Sequence, residues 1–430
     1  MNVMNANNLV EHIFRHEYGK IMALLVHKFG TTQIEIIEDA IQDALIKAMQ
    51  VWSFKKIPDN PTGWLLRVSS NNLIDTIRRS KKITLHQDVN EFLEGINSKN
   101  ENVLLGNEIN DSRLKMIFAC CHPSISQEYQ IILSLKLISG FSNKEIAKAL
   151  LKKEEAVAKS FTRAKKKLKV HIKNLEIPVE LGLRSRVNIV LKIIYLLFSE
   201  GYKATTGEDL IKKDMCFEAI RLALLLTENK YCNQPEVNAL IALMCFHASR
   251  FEARIDDNNE IVDLEHHDRM KYDRDLIIVG NQYLELATRQ SEEPSSYHLQ
   301  AAISYCYSIA ESFSKIDWST ILEFYDLLLK KQRTPIVILN RLISFSKVYG
   351  TGKAMLELKL YEQSLNYTET TLYNAIKAEF FNDLRKYDES KLALKSVIEN
   401  TQNPLEKKHF EKKLELLLYN EKARTIKSRH

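Results

Sequence analysis

Glycine and proline are scarce in this chain. Of 430 residues, 12 are glycine and 8 are proline, fewer than one residue in twenty, where roughly 12% is usual. Because these two residues form hairpin turns, bulges and strand ends, their shortage argues against a β-sandwich, a barrel or a long doubly wound sheet. With 45% hydrophobic and 27% charged residues the chain is able to bury a core. We therefore predict an all-α protein of two or three domains.

Positive charge is concentrated in the first part of the chain. Residues 1–175 contain 26 Lys and Arg against 18 Asp and Glu, a net charge of +8. Residues 176–430 contain 35 against 37, a net charge of −2. The first part is therefore the candidate for binding nucleic acid.

The six cysteines show no CxxC pair and no regular spacing, so we predict reduced, buried thiols. The polar N-terminus does not resemble a signal peptide, and the most apolar run, 187–198, is too short for a membrane span. We expect a cytoplasmic protein that makes no membrane contact.

Two short segments contain residues that bind metals in other proteins. Cys120, Cys121 and His122 are adjacent, but neighbouring helical side chains point about 100° apart and do not readily share a tetrahedral site. The segment 265–268 (Glu-His-His-Asp) lacks two histidines at i and i+4. We therefore predict no metal and no cofactor, and the absence of HExxH, Walker A and GxGxxG motifs predicts no enzymatic activity.

Residues 111–175 have the pattern of three short helices. Pro123 and Ser124 with Gln127 indicate the start of one helix, and Gly140 follows its end. Ser142 and Glu145 have the spacing of a capping box for the next. After a tight turn at Lys152 and Lys153, a third helix is predicted from Glu154 to about Lys173, which gives a helix-turn-helix.

The third of these helices has two different sides. Val157, Phe161, Ala164 and Leu168 recur at helical spacing and predict a buried stripe. Lysines and one arginine lie on the other sides, and the stretch 143–173 contains 11 basic and 3 acidic residues. A recognition helix needs an apolar side that holds it and cations that face phosphates. A solvated surface helix is the alternative, and the capping box and tight turn favour DNA binding.

Residues 8–83 are predicted to form three or four amphipathic helices. Glu38, Asp39, Gln42 and Asp43 share one face, which is available to a basic partner. After the turn at 57–61, a helix predicted from Trp64 to about Ser80 carries amides and guanidiniums along one face beside an aromatic ring. Such a face suits unstacked bases and a sugar-phosphate track, and an ordinary polar helix surface is an equally good interpretation of these residues alone.

These segments together resemble a known family. The run from Glu38 to Asp43, followed by the helix from Trp64 to Arg79, is similar to region 2 of the extracytoplasmic-function (ECF) sigma factors. The block from Glu145 to Leu168 resembles their region 4, and the two motifs occur in the order and separation of that family. The resemblance implies region 2 in 1–83, a linker in 84–110 that threads toward the polymerase active-site and RNA-exit channels, and region 4 in 111–175.

The resemblance also implies partners and roles. The partners are promoter DNA and the RNA polymerase core, through its clamp helices and flap; the polymerase supplies the catalysis. The residues implied to dock on core are Glu38, Asp39, Gln42 and Asp43. Those implied at the promoter −10 element are Trp64, Arg67, Asn71, Asn72, Asp75, Arg78 and Arg79. Those implied at the −35 element are Lys153, Glu155, Lys159, Ser160, Arg163, Lys166 and Lys167.

Two positions depart from the family pattern. The family often has arginine at the positions of Ser70 and Ser160. A lost arginine contact removes about 1–3 kcal/mol of discrimination between bases, so the promoter sequence does not transfer from relatives. The turn also carries Lys152 and Lys153, where relatives often have an apolar residue and a proline.

Further segments, among them 118–123 (Phe-Ala-Cys-Cys-His-Pro), 195–202 (Tyr-Leu-Leu-Phe-Ser-Glu-Gly-Tyr) and 218–222 (Glu-Ala-Ile-Arg-Leu), resemble one subgroup of this family. In that subgroup a long helical-repeat extension follows region 4, which implies such an extension in residues 178–430. Ala378, Phe381, Tyr387, Ser390 and Leu394 lie near the small and aromatic positions of a 34-residue tetratricopeptide repeat. Ser390 stands where alanine is usual. Such arrays offer a concave surface to a protein partner, and a purely stabilising appendage is the alternative. For the whole chain, the alternative is a helix-turn-helix regulator or repeat scaffold that does not join polymerase.

Overall fold

A computed structural model describes residues 6–52, 57–80, 113–150, 152–172, 181–205, 210–363 and 370–427. These residues are almost entirely helical, and their β-structure is limited to one isolated bridge between Ile255 and Ile261. The predicted all-α fold is confirmed. Contacts divide the chain into two compact units, Met1–Leu197 and Phe198–His430. The predicted linker 84–110 lies outside the described residues.

The described residues of the first unit include six helices and most of a seventh, with a further helical stretch at 113–120. They are α1 (Ala6–Phe29), α2 (Ile34–Trp52), α3 (Pro61–Ser80), α4 (Gln127–Leu137), α5 (Asn143–Ala149), α6 (Glu154–His171) and α7 (Leu181–Tyr202). The division between the two units falls within α7.

Helices α1, α2 and α3 pack together, and α1 is buried on all sides from Ile21 to Val26. In α2 the fully buried residues Ile37, Ile41 and Ala44 recur at three- to four-residue spacing, so one side of the helix faces the core. Helix α3 begins at Pro61, three residues before the predicted start. Asn60 explains the difference, because its Oδ1 accepts a hydrogen bond from the Gly63 amide at 2.8 Å and proline suits the first helical position.

Helices α4, α5 and α6 form the predicted three-helix block. The predicted capping box is present at α5: Ser142 Oγ accepts from the Glu145 amide at 3.2 Å, and Glu145 Oε2 accepts from the Ser142 amide at 2.7 Å. Gly140 has a φ of +65°, the left-handed conformation that ends many helices at glycine. Gly140 and the capping box therefore set the junction between α4 and α5.

The second unit is a series of helices in which most neighbours along the chain pack against each other. Besides the end of α7 they are α8 (Lys213–Thr227), α9 (Pro235–Ala248), α10 (Arg274–Arg289), α11 (Ser296–Ile309), α12 (Trp318–Lys331), α13 (Pro335–Tyr349), α14 (Thr351–Glu362), α15 (Thr371–Asp383), α16 (Tyr387–Asn400) and α17 (Pro404–Lys427).

Three arginines join the ends of three helices in this unit. Arg254 Nη1 donates to the carbonyl of Tyr202 at 2.6 Å, and Arg269 Nη1 donates to that of Tyr307 at 2.7 Å. Arg250, which is 5% exposed, donates to the carbonyl of Phe246 at 3.3 Å. These carbonyls lie in the last turns of α7, α11 and α9, where acceptors lack a helical partner and the helix dipole is negative. The guanidiniums therefore tie helix ends together.

Helices α15 and α16 contain the repeat-like residues and pack against each other. Ala378 and Leu394 are buried in one cluster with Ala393 and Leu417. The hydroxyl of Ser390, which is 1% exposed, donates to the carbonyl of Ala378 at 2.8 Å. The two helices therefore approach closely at the position where the repeat pattern has alanine.

Candidate nucleic-acid interface

The predicted recognition helix is α6. Its stripe of Val157, Phe161, Ala164 and Leu168 is buried, as predicted. The side chains of Lys153, Glu155, Lys159, Arg163, Lys166 and Lys167 are exposed. One side of α6 is thus held by the core while a strongly cationic side faces solvent, an arrangement that favours phosphate contacts.

Ser160 differs from the other residues predicted on this face. It is half-buried, and its hydroxyl lies 3.4 Å from Glu128 Oε1 at the start of α4. Lys152 Nζ forms an ion pair with the same oxygen at 2.8 Å. The carboxylate of Glu128 therefore ties the turn before α6 and the middle of α6 to α4, and Ser160 faces its own domain.

The polar face of α3 is solvent-accessible. Arg67, Asn71, Asp75, Arg78 and Arg79 are exposed, while Trp64 and Asn72 are half-buried. The side chains of both serines before Asn71 are buried, and Ser70 is 2% exposed. The side chain of Ser70 thus faces the core of the domain, and the expected loss of a DNA contact at this position stays a prediction.

Trp64 is anchored by a second tryptophan. Its ring lies 5.3 Å from the ring of Trp52, with 58° between the planes, and Trp52 is 4% exposed. Such tilted aromatic pairs stabilise a contact beyond the area they bury. The pairing fixes the start of α3 to the end of α2, which leaves part of the Trp64 ring accessible at the beginning of the polar face.

The acidic face of α2 is divided between solvent and an internal contact. Asp39, Gln42 and Asp43 are exposed. Glu38 is half-buried, and its Oε2 forms an ion pair with Lys165 Nζ of α6 at 2.5 Å. The four residues predicted to act together are therefore in two different environments.

Two apolar residues extend this acidic face. Ile46 is 54% exposed and Met49 is 40% exposed, and with Gln42 they lie at i, i+4 and i+7 of α2. Exposed large apolar side chains beside polar ones are typical of protein contact surfaces. In the sequence, Ile46 and Met49 are recognisable as apolar residues that fall outside the buried stripe of α2.

The possible metal ligands have other roles. Cys120 and Cys121 are buried, and burial raises the pKa of the Cys120 thiol to about 12. His267 Nδ1 lies 3.0 Å from the hydroxyl of Tyr272 and its Nε2 3.2 Å from the carbonyl of Val262. Burial, followed by the nearby Arg250, lowers the pKa of His267 to about 4. Within the described ranges, no three His, Cys, Asp or Glu side chains are grouped to hold a metal ion.

A groove lies among the helices of the second unit. It has a volume of about 650 Å³ and is lined by aromatic residues, including Trp318, Tyr325 and Phe410, and by polar residues, including Asn340 and Glu379. Burial raises the pKa of Glu379, although its side chain is accessible to water. This combination is expected of a carboxylate on the floor of a groove.

Comparisons with known proteins decide the family. Residues 13–83 match the family model of sigma-70 region 2, and residues 115–168 match that of sigma-70 region 4. The chain belongs to the sigma-70 family. The exposed faces of α3 and α6 thus lie in the two regions of a sigma factor for transcription initiation, which binds the RNA polymerase core and promoter DNA.

Two further comparisons describe the rest of this sigma factor. Residues 186–288 match a family of unknown function, DUF6596. An uncharacterized protein of Rhizobium meliloti (strain 1021) is 34% identical over 324 residues, which cover 75% of this chain and 76% of that protein. No solved structure matches the chain. Among the described residues, none of the helices has the length and hydropathy needed to cross a bilayer.

Proposed function

We propose that this sigma-70 family protein is an alternative sigma factor of the ECF type, acting in the cytoplasm. Region 2 in residues 1–83 binds core and the −10 element, region 4 in residues 111–175 binds the −35 element, and residues 84–110 link them. The observation that carries the proposal is the pairing of two accessible polar helix faces, on α3 and α6, in the order of the region 2 and region 4 matches.

The proposed roles follow the exposure of each face. Asp39, Gln42 and Asp43, together with Glu38 once its ion pair opens, dock on the polymerase clamp helices. Arg78 and Arg79 track the phosphates beside the −10 bases, and Lys159 and Arg163 reach the −35 major groove. Ser160 supports α6 through Glu128 and reads no base.

Reconstituted transcription tests this proposal. The full-length protein should co-purify with core polymerase and support run-off transcription from a cognate promoter found by mapping transcripts after overexpression. Substitution of Arg78 and Arg79 by alanine should abolish promoter opening while core binding persists. A chain that binds duplex DNA tightly alone and never supports initiation would instead be a helix-turn-helix regulator or repeat scaffold.

We also propose that the second unit is a degenerate tetratricopeptide-like array that binds a protein partner in its groove. The support is the α15–α16 hairpin closed by Ser390 and the mixed aromatic and polar lining of the groove. Glu379→Lys should change transcription or its regulation. Glu389→Lys, on the exposed side of the same hairpin, is the matched control. Equal behaviour of the two variants would favour a purely stabilising role.

A further inference from the structure

Helix α6 contacts region 2 through a side that the DNA-binding prediction does not use. Lys165 Nζ lies 2.5 Å from Glu38 Oε2, and Lys169 Nζ lies 2.6 Å from Glu35 Oε2. Lys165 and Lys169 are one turn apart on α6, and Glu35 and Glu38 are one turn apart on α2. Two ion pairs one turn apart therefore join the recognition helix to Glu35 and Glu38 of α2.

The inner pair is the better protected. The side chains of Lys165 and Glu38 are 15% and 13% exposed, whereas those of Lys169 and Glu35 are 25% and 56% exposed. Ion pairs gain strength as water is excluded, and exposed pairs contribute little. The Lys165–Glu38 pair should therefore contribute most of the electrostatic free energy of the contact, and the Lys169–Glu35 pair should contribute less.

Close packing accompanies these charges elsewhere in the contact. Gly19 of α1 lies against the carbonyl oxygen of Ile138, at the end of α4, so closely that a Cβ at position 19 would overlap it. The same carbonyl accepts a hydrogen bond from Arg113 Nη2 at 3.0 Å. The buried hydroxyl of Thr31 also donates to the carbonyl of Ile172, just after α6. The contact is therefore a shaped interface as well as an electrostatic one.

The two sides of α6 have different accessibility in this arrangement. The cations proposed to face DNA, among them Lys159, Arg163 and Lys166, are exposed. Glu38, proposed to dock on core, is occupied by Lys165. One carboxylate oxygen at 2.5 Å from a lysine in a largely buried pair does not contact a polymerase cation at the same time without losing the first pairing.

We propose that α6 is the internal occupant of Glu35 and Glu38 on α2, and that core polymerase reaches Glu38 only after this contact opens. The inference rests on the proposed docking role of Glu38. It makes the closed chain a form that keeps its −35 cations accessible while Glu38, one of the four residues proposed to dock on core, is engaged by Lys165. Core binding and opening are then thermodynamically coupled, so weakening the contact strengthens core binding.

The test uses the full chain with Lys165→Met and Lys169→Met, which keep side-chain bulk and alter neither the proposed core-binding nor DNA-binding residues. The matched control is Lys192→Met with Lys230→Met, which removes the same charge from exposed lysines. Spin labels at Gln50→Cys and Lys144→Cys, in a Cys306→Ser background because the other native cysteines are buried, report the distance between α2 and α5 without polymerase.

We expect longer and broader label distances for the K165M/K169M chain, and core binding about threefold to tenfold tighter than for wild type and control. Gly19→Ala should lengthen the distances by a route that changes no charge. The variant E35K/E38K/K165E/K169E restores both ion pairs with the charges exchanged, so its label distances should return to the wild-type values. Only distances are measured for this variant, because it changes Glu38, a proposed core-docking residue.

Two different outcomes would contradict the two proposals. Unchanged label distances in K165M/K169M and in Gly19→Ala, with normal core binding, would overturn the internal-occupant proposal alone. Failure of wild type and every variant to bind core would refute the proposed sigma function and this inference with it.

Discussion

Two groups of cationic side chains, one in each unit, are used in opposite ways. In region 4, Lys159, Arg163 and Lys166 are exposed on one side of α6. In the second unit, Arg250, Arg254 and Arg269 are buried or half-buried and donate to backbone carbonyls at helix ends. Among the described residues, none of these three forms an ion pair with a carboxylate. Cations that face water are available to phosphates, whereas guanidiniums that face carbonyls hold the fold together.

Aromatic rings complete the second environment. The guanidinium of Arg254 lies 3.8 Å from the centre of the Tyr202 ring, and that of Arg269 lies 4.9 Å from the centre of the Tyr272 ring. Burial, followed by the neighbouring Arg250 and Arg254, holds the pKa of His247 well below its usual value. A neutral histidine beside two guanidiniums avoids a further buried charge. This cluster lies within the segment that matches DUF6596.

The largest expected effect comes from breaking the buried cluster. Arg254→Ala removes the guanidinium that donates to the Tyr202 carbonyl in the last turn of α7 and that lies over the Tyr202 ring. This loss should lower the local free energy of unfolding by about 2 kcal/mol. Hydrogen exchange in the last turn of α7 should then accelerate about thirtyfold. Arg289→Ala, at an arginine with 79% exposure and a partner on its own helix, should change exchange by less than about threefold.

Equal effects of these two variants would contradict the structural role of the cluster. A loss of promoter binding by Arg254→Ala without faster exchange would do so as well, because it would place Arg254 with the DNA-facing cations of α6.

The next prediction concerns a cation of the exposed face. Arg163→Ala should weaken binding of the polymerase holoenzyme to a duplex with the −35 element by about fivefold to tenfold, and reduce the slope of log K against log salt by about 1. Unfolding stability should change by less than about 0.5 kcal/mol, because the side chain is exposed. Fluorescence anisotropy at several salt concentrations measures both. A loss of unfolding stability with unchanged affinity for DNA would mean that Arg163 has a structural role like that of Arg254.

Local patterns explain which of these features the sequence predicts. The capping box at Ser142, the stripe from Val157 to Leu168 and the glycine after α4 depend on residues within one or two turns of each other, and all are present. The pairing of Lys165 with Glu38 joins residues 127 positions apart, and no spacing rule predicts it. The arginine cluster was missed because its acceptors are backbone carbonyls, which any residue supplies.

Burial distinguishes two serines from the exposed residues beside them. Ser70 faces the interior and Ser160 faces α4, although both positions belong to helices whose neighbouring residues are exposed. Exposure of single positions on α3 and α6 depends on which turn meets the rest of the domain, and that is a property of packing. The same reason explains why Ile46 and Met49 of α2 are exposed although their side chains are apolar.

A smaller effect is expected at the α15–α16 hairpin. Ser390→Ala removes a buried hydrogen bond to the carbonyl of Ala378 but leaves the residue that suits a close helix pair, so the free energy of unfolding should fall by about 1 kcal/mol or less. Urea unfolding of the full chain, with Glu389→Ala as the exposed control, measures the difference. A loss of several kcal/mol would mean that the serine supports more than this one contact.

The smallest effect should be a pH dependence of the closed contact. The hydrogen bond from Lys169, assisted by nearby lysines, lowers the pKa of Glu35. A carboxylate whose pKa is lowered by a contact stabilises that contact above its unperturbed pKa of about 4.3, and the stabilisation is lost as pH falls through the lowered value. Because Glu35 is 56% exposed, its contribution should stay below about 1 kcal/mol.

Label distances between α2 and α5 should therefore be constant from pH 8 to pH 5 and lengthen only below about pH 4. The Glu35→Gln variant should lack that component. Opening of the contact near pH 6, where histidines titrate, would contradict the assignment of this pH dependence to Glu35.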